Sequence, residues 1–152
     1  PVQPVFTSPE AGSTLYDSGR MQNPPKKWHI LYCGESDDPC PITDFIESQP
    51  EKHQIKILRF LELLEEMGPA LTRPYADLLY SGIHELRITL SGDQVRLLYF
   101  YCFQKFIVLY QAFHKHTDRV PDKYIRRTIR YREQVLERLD EQKLERLIYE
   151  GV

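Results

Sequence analysis

Ile83-His84-Glu85-Leu86-Arg87-Ile88-Thr89-Leu90, Ser91-Gly92-Asp93-Gln94 and Val95-Arg96-Leu97-Leu98-Tyr99-Phe100-Tyr101-Cys102-Phe103 follow one another without interruption, and this stretch decides the fold. Its first eight residues alternate. Leu86, Ile88 and Leu90 fall on one side and Glu85, Arg87 and Thr89 on the other, the period of a strand with one buried face. Ser91 to Gln94 is a hairpin turn signal. Gln104-Lys105 offers a second turn, and Phe106 to Phe113 a third strand. Three strands joined by turns this short form an antiparallel meander. With Gly92-Asp93 as the loop pair, Ile88 faces Leu97, Leu90 faces Val95 and Leu86 faces Tyr99, so apolar meets apolar. The other face then sets Thr89 beside Arg96 and Arg87 beside Leu98, which makes Arg87 and Arg96 diagonal neighbours. With Gln104-Lys105 as the second loop, Phe113 faces Arg96, and Lys115 continues that face past the strand end.

Upstream of the meander, Trp28 to Cys33 is a short strand candidate. Pro41 suits a first helical position, having no N–H to lose, and Ile42, Phe45 and Ile46 then share a face. Glu51 to Met67 is a longer helix, with Ile57, Phe60, Leu61, Leu64 and Met67 at helical spacing and Lys56, Arg59, Glu62 and Glu65 largely opposite. Ile55, Leu58 and Leu63 widen its apolar surface, and Gly68-Pro69 stops it. A linker is expected through Tyr80. Downstream, Pro121 opens a long C-terminal helix from Asp122 to about Leu147, with Ile125, Ile129, Leu136, Leu139 and Leu147 as its stripe. The order is β-α-α-β-β-β-α, an α+β domain over residues 26–152. Residues 1–25 show no hydrophobic period and hold five of the eleven prolines. They read as an extended arm or leader.

At 152 residues the chain fits one domain with a sizeable core. No apolar run is long enough for a spanning helix and no secretory leader is expected, so membrane partners are not anticipated. The three cysteines, Cys33, Cys40 and Cys102, form no C-x-x-C pair. Reduced thiols in a cytoplasm are therefore expected. Glycine-rich phosphate loops, nucleophile elbows and paired-carboxylate motifs are missing from the sequence. His114-x-His116 is spaced like a metal pair but lacks a third ligand at suitable spacing, so no metal or other cofactor is expected.

The net charge is −2, which gives no overall pull toward nucleic acid. The distribution is uneven: residues 113–132 hold seven Lys/Arg against two Asp, and the remainder holds 13 basic against 20 acidic residues. Arg87, Arg96 and Lys115 would share one sheet face beside this basic segment. Gathered like charges repel and add nothing to the fold. An anionic ligand would remove that cost, and guanidinium groups suit phosphate. The plainer alternative is that each arginine pairs with Glu85 or with an acidic helix residue.

Gly82-Ile83-His84-Glu85-Leu86-Arg87, Arg96-Leu97-Leu98-Tyr99 and Phe113-His114-Lys115-His116-Thr117-Asp118-Arg119-Val120-Pro121 resemble the RelE/HigB-type toxins of bacterial toxin–antitoxin systems, in the phage-derived, HigB-like subgroup. Leu61 to Pro69 is similar to the helix preceding the meander in that group. The resemblance spans about Trp28 to Arg132 and implies a RelE-like antiparallel sheet. It also implies a cytoplasmic, metal-independent endoribonuclease that cleaves mRNA on the ribosome, held in check by a cognate helix-turn-helix antitoxin in a hetero-oligomer.

In that chemistry the ribose 2′-OH attacks the adjacent phosphate. A base, an acid and phosphate-gripping cations are needed. Arg87 and Arg96 match the family's strand arginines, and Lys115 its basic residue after the last strand. His114 and His116 flank Lys115, and an imidazole could serve as the base or the acid. Tyr99 is a lesser candidate, since the register turns it to the core. Arg119, Lys123, Arg126, Arg127 and Arg130 would contact backbone phosphates, or else form a solvated helix face. The chain departs from the family by Lys115-His116 in place of two lysines and by Cys40 in place of a small polar cap. The alternative is a catalytically weak RNA-binding or regulatory module on the same fold.

Overall fold

A computed structural model of the chain describes residues 28–33, 40–138 and 140–149, without the side chains of 147–149. The expected N-terminal arm, most of the loop after Cys33, and the stripe positions Leu139 and Leu147 lie outside this description. The elements are β1 (His29–Tyr32), α1 (Pro41–Glu47), α2 (Glu51–Met67), a single 3-10 turn (Gly68–Ala70), β2 (Ala76–Tyr80), β3 (Ile83–Leu90), β4 (Asp93–Cys102), β5 (Phe106–His114), α3 (Asp122–Arg138) and α4 (Glu141–Tyr149). The strands form one five-stranded sheet in the order β1-β5-β4-β3-β2.

The meander stands, with four corrections. First, the sheet is mixed, because β1 pairs with β5 in parallel. Second, the expected linker contains β2, antiparallel to β3 across Ser81-Gly82. Third, the β3–β4 register differs by two residues: Arg87 lies directly opposite Arg96, Leu86 opposite Leu97 and Ile88 opposite Val95. The loop pair is Ser91-Gly92, with φ of 50° and 89°. Positive φ at both central residues defines the tight turn that matches strand twist. A shift of two leaves every side chain on its own face, so the apolar pattern is equally satisfied by either register. Fourth, at the second turn Cys102 pairs with Phe106, which makes the loop three residues long, while Phe113 faces Arg96 as expected.

Both faces of the sheet are covered. Leu86, Ile88, Val95, Leu97 and Leu109 pack under Ile57, Leu61 and Leu64 of α2 and Ile42 and Ile46 of α1. Leu98, Phe100, Phe106 and Val108 pack under Val135 of α3 and Leu144 of α4 on the other face. Each such apolar side chain contributes about 1.5–3 kcal/mol relative to exposure. In α2 the stripe is narrower than the sequence suggests. Ile55 and Met67 are exposed, and Glu65, expected outside, is buried. Gly68 ends α2 at φ +52°, with the Trp28 indole against it where a Cβ would be.

The long C-terminal helix is two helices. Asp140 restarts the chain, its carboxylate accepting the Lys143 N–H at 2.9 Å, an ordinary N-cap. Lys105 then ties α4 to the β4–β5 turn through Glu141 and Glu145, at 3.0 and 2.5 Å. Cys33 and Cys40 are joined in a disulfide, contrary to the expected reduced pair. The end of β1 and the start of α1 lie side by side, with Cα atoms 5.3 Å apart. That spacing suits a bridge and could not be read from residue count. Cys40 also stands at the N-cap of α1, where it makes no side-chain capping bond.

Candidate functional site

Glu85 and Arg87 on β3, Arg96 on β4 and Phe113 on β5 project from the sheet face that α3 covers. Alternation fixes this on β3 and β4, since Leu86 and Leu97 go to the other core, and on β5 a bulge at Tyr110 turns Phe113 to the face opposite Leu109. Pairing then sets Arg87, Arg96 and Phe113 in one row across three strands. The shifted register thus brings the two arginines closer than the diagonal arrangement expected from sequence.

Glu85 lies one rung away on β3, opposite Leu98, and its carboxylate approaches both arginines of the row. Its Oε1 is 3.1 Å from Arg96 Nε, and its Oε2 is 3.9 Å from Arg87 Nε. The Glu85 and Arg96 side chains are 7% and 4% exposed, whereas Arg87 is 34% exposed. The Glu85–Arg96 approach is a charge contact off the hydrogen-bond axis. Arg96 Nη1 donates instead to the Val95 carbonyl at 3.1 Å and to Gln94 Oε1 at 3.4 Å. Burial pushes the Glu85 carboxyl above its ordinary value, against the opposing pull of Arg96, Arg87 and Lys115. It likewise holds the Arg96 guanidinium below its ordinary value. Desolvation therefore outweighs mutual attraction on both sides of the pair.

Lys115 is half-buried just past β5. Its backbone N–H donates to the Gln94 carbonyl at 2.8 Å, extending the ladder by one rung, and its Nζ donates to the carbonyls of Thr117 and Asp118 at 2.7 and 2.9 Å. Two residues after Phe113, it continues that side of the sheet one rung beyond the arginine row. His114 does not. It is exposed on the opposite face, 5.3 Å from the Phe45 ring of α1, and stacks on His116 at 6.3 Å. His116, beyond the strand end, is also exposed. Tyr99 is buried on the α2 side, as the sequence suggested, and burial raises its phenol far above the ordinary range.

The basic segment forms a single surface. Lys123, Arg126, Arg127 and Arg130 are all exposed and recur at helical spacing along one stripe of α3. Arg119 precedes the helix, exposed and 3.8 Å from Asp122. Beneath this stripe Tyr124 stacks on Phe113 with ring centroids 3.9 Å apart and planes 5° from parallel. Lys123 Nζ and the Arg127 guanidinium lie 5.2 and 6.0 Å from the Tyr124 centroid. Buried Gln111 donates to the Tyr124 carbonyl and to Thr128 Oγ1, both at 2.9 Å, and so fixes the first turn of α3 on β5.

Two participants were not singled out from sequence. Glu85 entered only as an optional ion-pair partner, although its position two residues before Arg87 places both on one strand face. Tyr124 carried no signal, because its partner Phe113 comes from another element. Among the described residues no group of three or more His, Cys, Asp or Glu is placed to hold a metal ion, and no helix is long and apolar enough to cross a membrane.

No curated protein matches the chain significantly. A family model described as phage derived protein Gp49-like (DUF891) matches residues 44–133, from α1 through most of α3. The match contains the whole arginine row, Lys115 and the basic stripe. It covers more than half of the sequence, so the chain belongs to the phage-derived Gp49-like family, part of the RelE/HigB-like toxin group and associated with the toxins of toxin–antitoxin pairs.

Proposed function

We propose that this chain is the toxin of a toxin–antitoxin pair and acts in the cytoplasm as a ribosome-dependent, metal-independent mRNA endonuclease of HigB-like type. The observation that carries the reading is the run of cations along one side of the sheet. Arg87 is partly exposed beside the buried Glu85–Arg96 pair, Lys115 lies at the strand end, and the α3 stripe continues the positive surface. A chain of net charge −2 that concentrates its cations in this way offers a local site for a polyanion.

In the proposed reaction the 2′-oxygen bonds to the adjacent phosphorus and the P–O5′ bond breaks, leaving a 2′,3′-cyclic phosphate and a free 5′-OH. Arg87 and Lys115 stabilise the charge growing on the phosphate oxygens. Arg96, held by Glu85, positions Arg87 by occupying the space across from it. One proton leaves the 2′-OH and one reaches the 5′-oxygen. Of the two histidines assigned to this work, His116 is the better placed, being past the point where the sheet separates its faces. His114 would need to leave Phe45. Arg119, Lys123, Arg126, Arg127 and Arg130 take the flanking phosphates. A cognate helix-turn-helix antitoxin would block the toxin by covering this face.

One observation favours a second reading: Glu85 already neutralises Arg96. On that reading the chain binds RNA or regulates without cutting. Primer extension on mRNA bound to translating ribosomes separates the two. The endonuclease reading expects 5′-OH cleavage ends that fall by about 100-fold or more in Arg87→Ala and Lys115→Ala, an effect typical of lost transition-state contacts. Cleavage that both variants leave unchanged refutes the site. Binding without cleavage in the wild type supports the second reading.

A further inference from the structure

Phe113 and Tyr124 form a face-to-face stack at the edge of the core beneath α3. Phe113 fills one face of the Tyr124 ring at 3.9 Å and nearly parallel, so the cations of Lys123 and Arg127 lie over the other face. Both cations are on exposed, flexible side chains, whereas the ring beneath them is half-buried. The residue itself is fixed, because its carbonyl accepts from Gln111 and Thr128 at 2.9 Å each. Phe113 also lies directly opposite Arg96, so the stack adjoins the Arg87–Arg96 row. An aromatic face with cations over it and an arginine row beside it can hold a base and its neighbouring phosphates together.

We infer that the outer face of Tyr124 is a stacking platform for one nucleobase of single-stranded RNA, with Lys123 and Arg127 swinging aside to grip the phosphates on either side of it. This deepens, and rests on, the RNA reading above. Magnitudes favour the exchange. An exposed cation–π contact is worth about 2- to 5-fold in an equilibrium constant, whereas a base on an aromatic ring is worth about 5- to 150-fold in affinity. The displaced cations recover their interaction at phosphate. Every base presents a π-face, so the platform tolerates any sequence. The stack on Phe113 keeps the ring flat and ready, which limits the entropy lost on binding.

The test uses the full chain and a fluorescein-labelled single-stranded RNA of mixed sequence, with affinity read by anisotropy at low salt. An abasic ribose is placed at each position of the RNA in turn. The platform predicts one position at which the abasic change weakens wild-type binding by about 5- to 150-fold. Tyr124→Leu, which still covers Phe113, weakens the intact RNA by a similar factor and makes that abasic change silent. Tyr124→Trp binds at least as well as wild type. Arg127→Gln lowers the slope of log affinity against log salt by about 1. If Tyr124→Leu binds like wild type while Arg127→Gln and Arg87→Ala weaken, the platform is wrong and the RNA reading stands. If the wild-type chain binds no RNA, both fall together. An equal loss in Tyr124→Trp and Tyr124→Leu at every RNA position marks a structural role and overturns the platform.

Discussion

Replacing Arg96 by methionine tests whether desolvation governs the row. Arg96 and Glu85 are both almost fully buried among Ile83, Leu98 and Phe113. Removing one member of a buried pair leaves the other uncompensated, at a cost of about 3–5 kcal/mol. For a chain of this length that corresponds to a loss of roughly 10 °C in Tm. The loss should depend on pH. Glu85 already sits above its ordinary value of about 4.5, so the stability it contributes is complete below that pH and fades as pH rises through the folded value. Arg96 is the largest influence holding that carboxyl down. Without Arg96 the folded value rises further, so Arg96→Met should be markedly less stable at pH 8 than at pH 5 relative to wild type. The double variant Glu85→Met/Arg96→Met removes both charges and extends the apolar layer. It should equal wild type or exceed it by about 1–4 kcal/mol. Urea denaturation of the three proteins at both pH values is the assay. A double variant as unstable as the single one, or a single-variant loss that does not change with pH, would show that attraction and not desolvation governs the pair.

Three further outcomes are expected. Thiol titration should find no reactive cysteine in the folded, oxidised chain and one after denaturation, since Cys102 is the free cysteine and burial pushes its thiol up to about 11; reducing Cys33–Cys40 should cost about 2.5 kcal/mol by the chain-entropy estimate for so short a loop. Thr128→Val leaves one buried Gln111 donor bond unmade and should lower urea-derived stability by about 1–3 kcal/mol, with the native fold retained by circular dichroism. Gly68→Ala forces a side chain into a left-handed conformation and against the Trp28 indole, so a loss above about 1 kcal/mol is expected, with a changed emission from the single tryptophan.

The meander was legible because its alternation is strong over Ile83 to Leu90 and its turn residues are explicit. The register was not, since a two-residue slip preserves both faces and only backbone dihedrals at Ser91-Gly92 distinguish the alternatives. β2 was missed although Ser81-Gly82 repeats the same turn dipeptide, with φ of 52° and 80°. As an edge strand with Leu78 and Tyr80 exposed, it lacks a clean apolar face. The break between α3 and α4 was hidden by an apolar spacing that runs on across Asp140. The basic stripe was legible because helical spacing places Lys123, Arg126, Arg127 and Arg130 together, whereas the separation of His114 from the arginines depends on which face β5 turns to α1. Glu65 and the Cys33–Cys40 bridge are set by long-range packing that local pattern does not encode.

The row also divides labour differently from three equivalent cations closing on one phosphate. Arg87 and Arg96 oppose each other directly, an arrangement that by itself destabilises a sheet. Glu85 offsets the repulsion but approaches Arg96 by 0.8 Å more than Arg87, at 3.1 against 3.9 Å. At 4% exposure Arg96 cannot meet a ligand in solution while Glu85 stays in place, whereas Arg87 can. Apolar side chains are expected to fill both buried positions at equal or lower free energy, so on that expectation stability alone does not account for the pair. What the pair supplies is a fixed, buried neighbour that limits where the Arg87 guanidinium can go. In the proposed reaction, contact with phosphate would fall to Arg87 and Lys115, with Arg96 acting through them. On this reasoning Arg96→Met should lower the rate mainly by loosening Arg87. An Arg87→Ala background should therefore mask most of the Arg96 effect, and fully additive losses in the two variants would count against the positioning role.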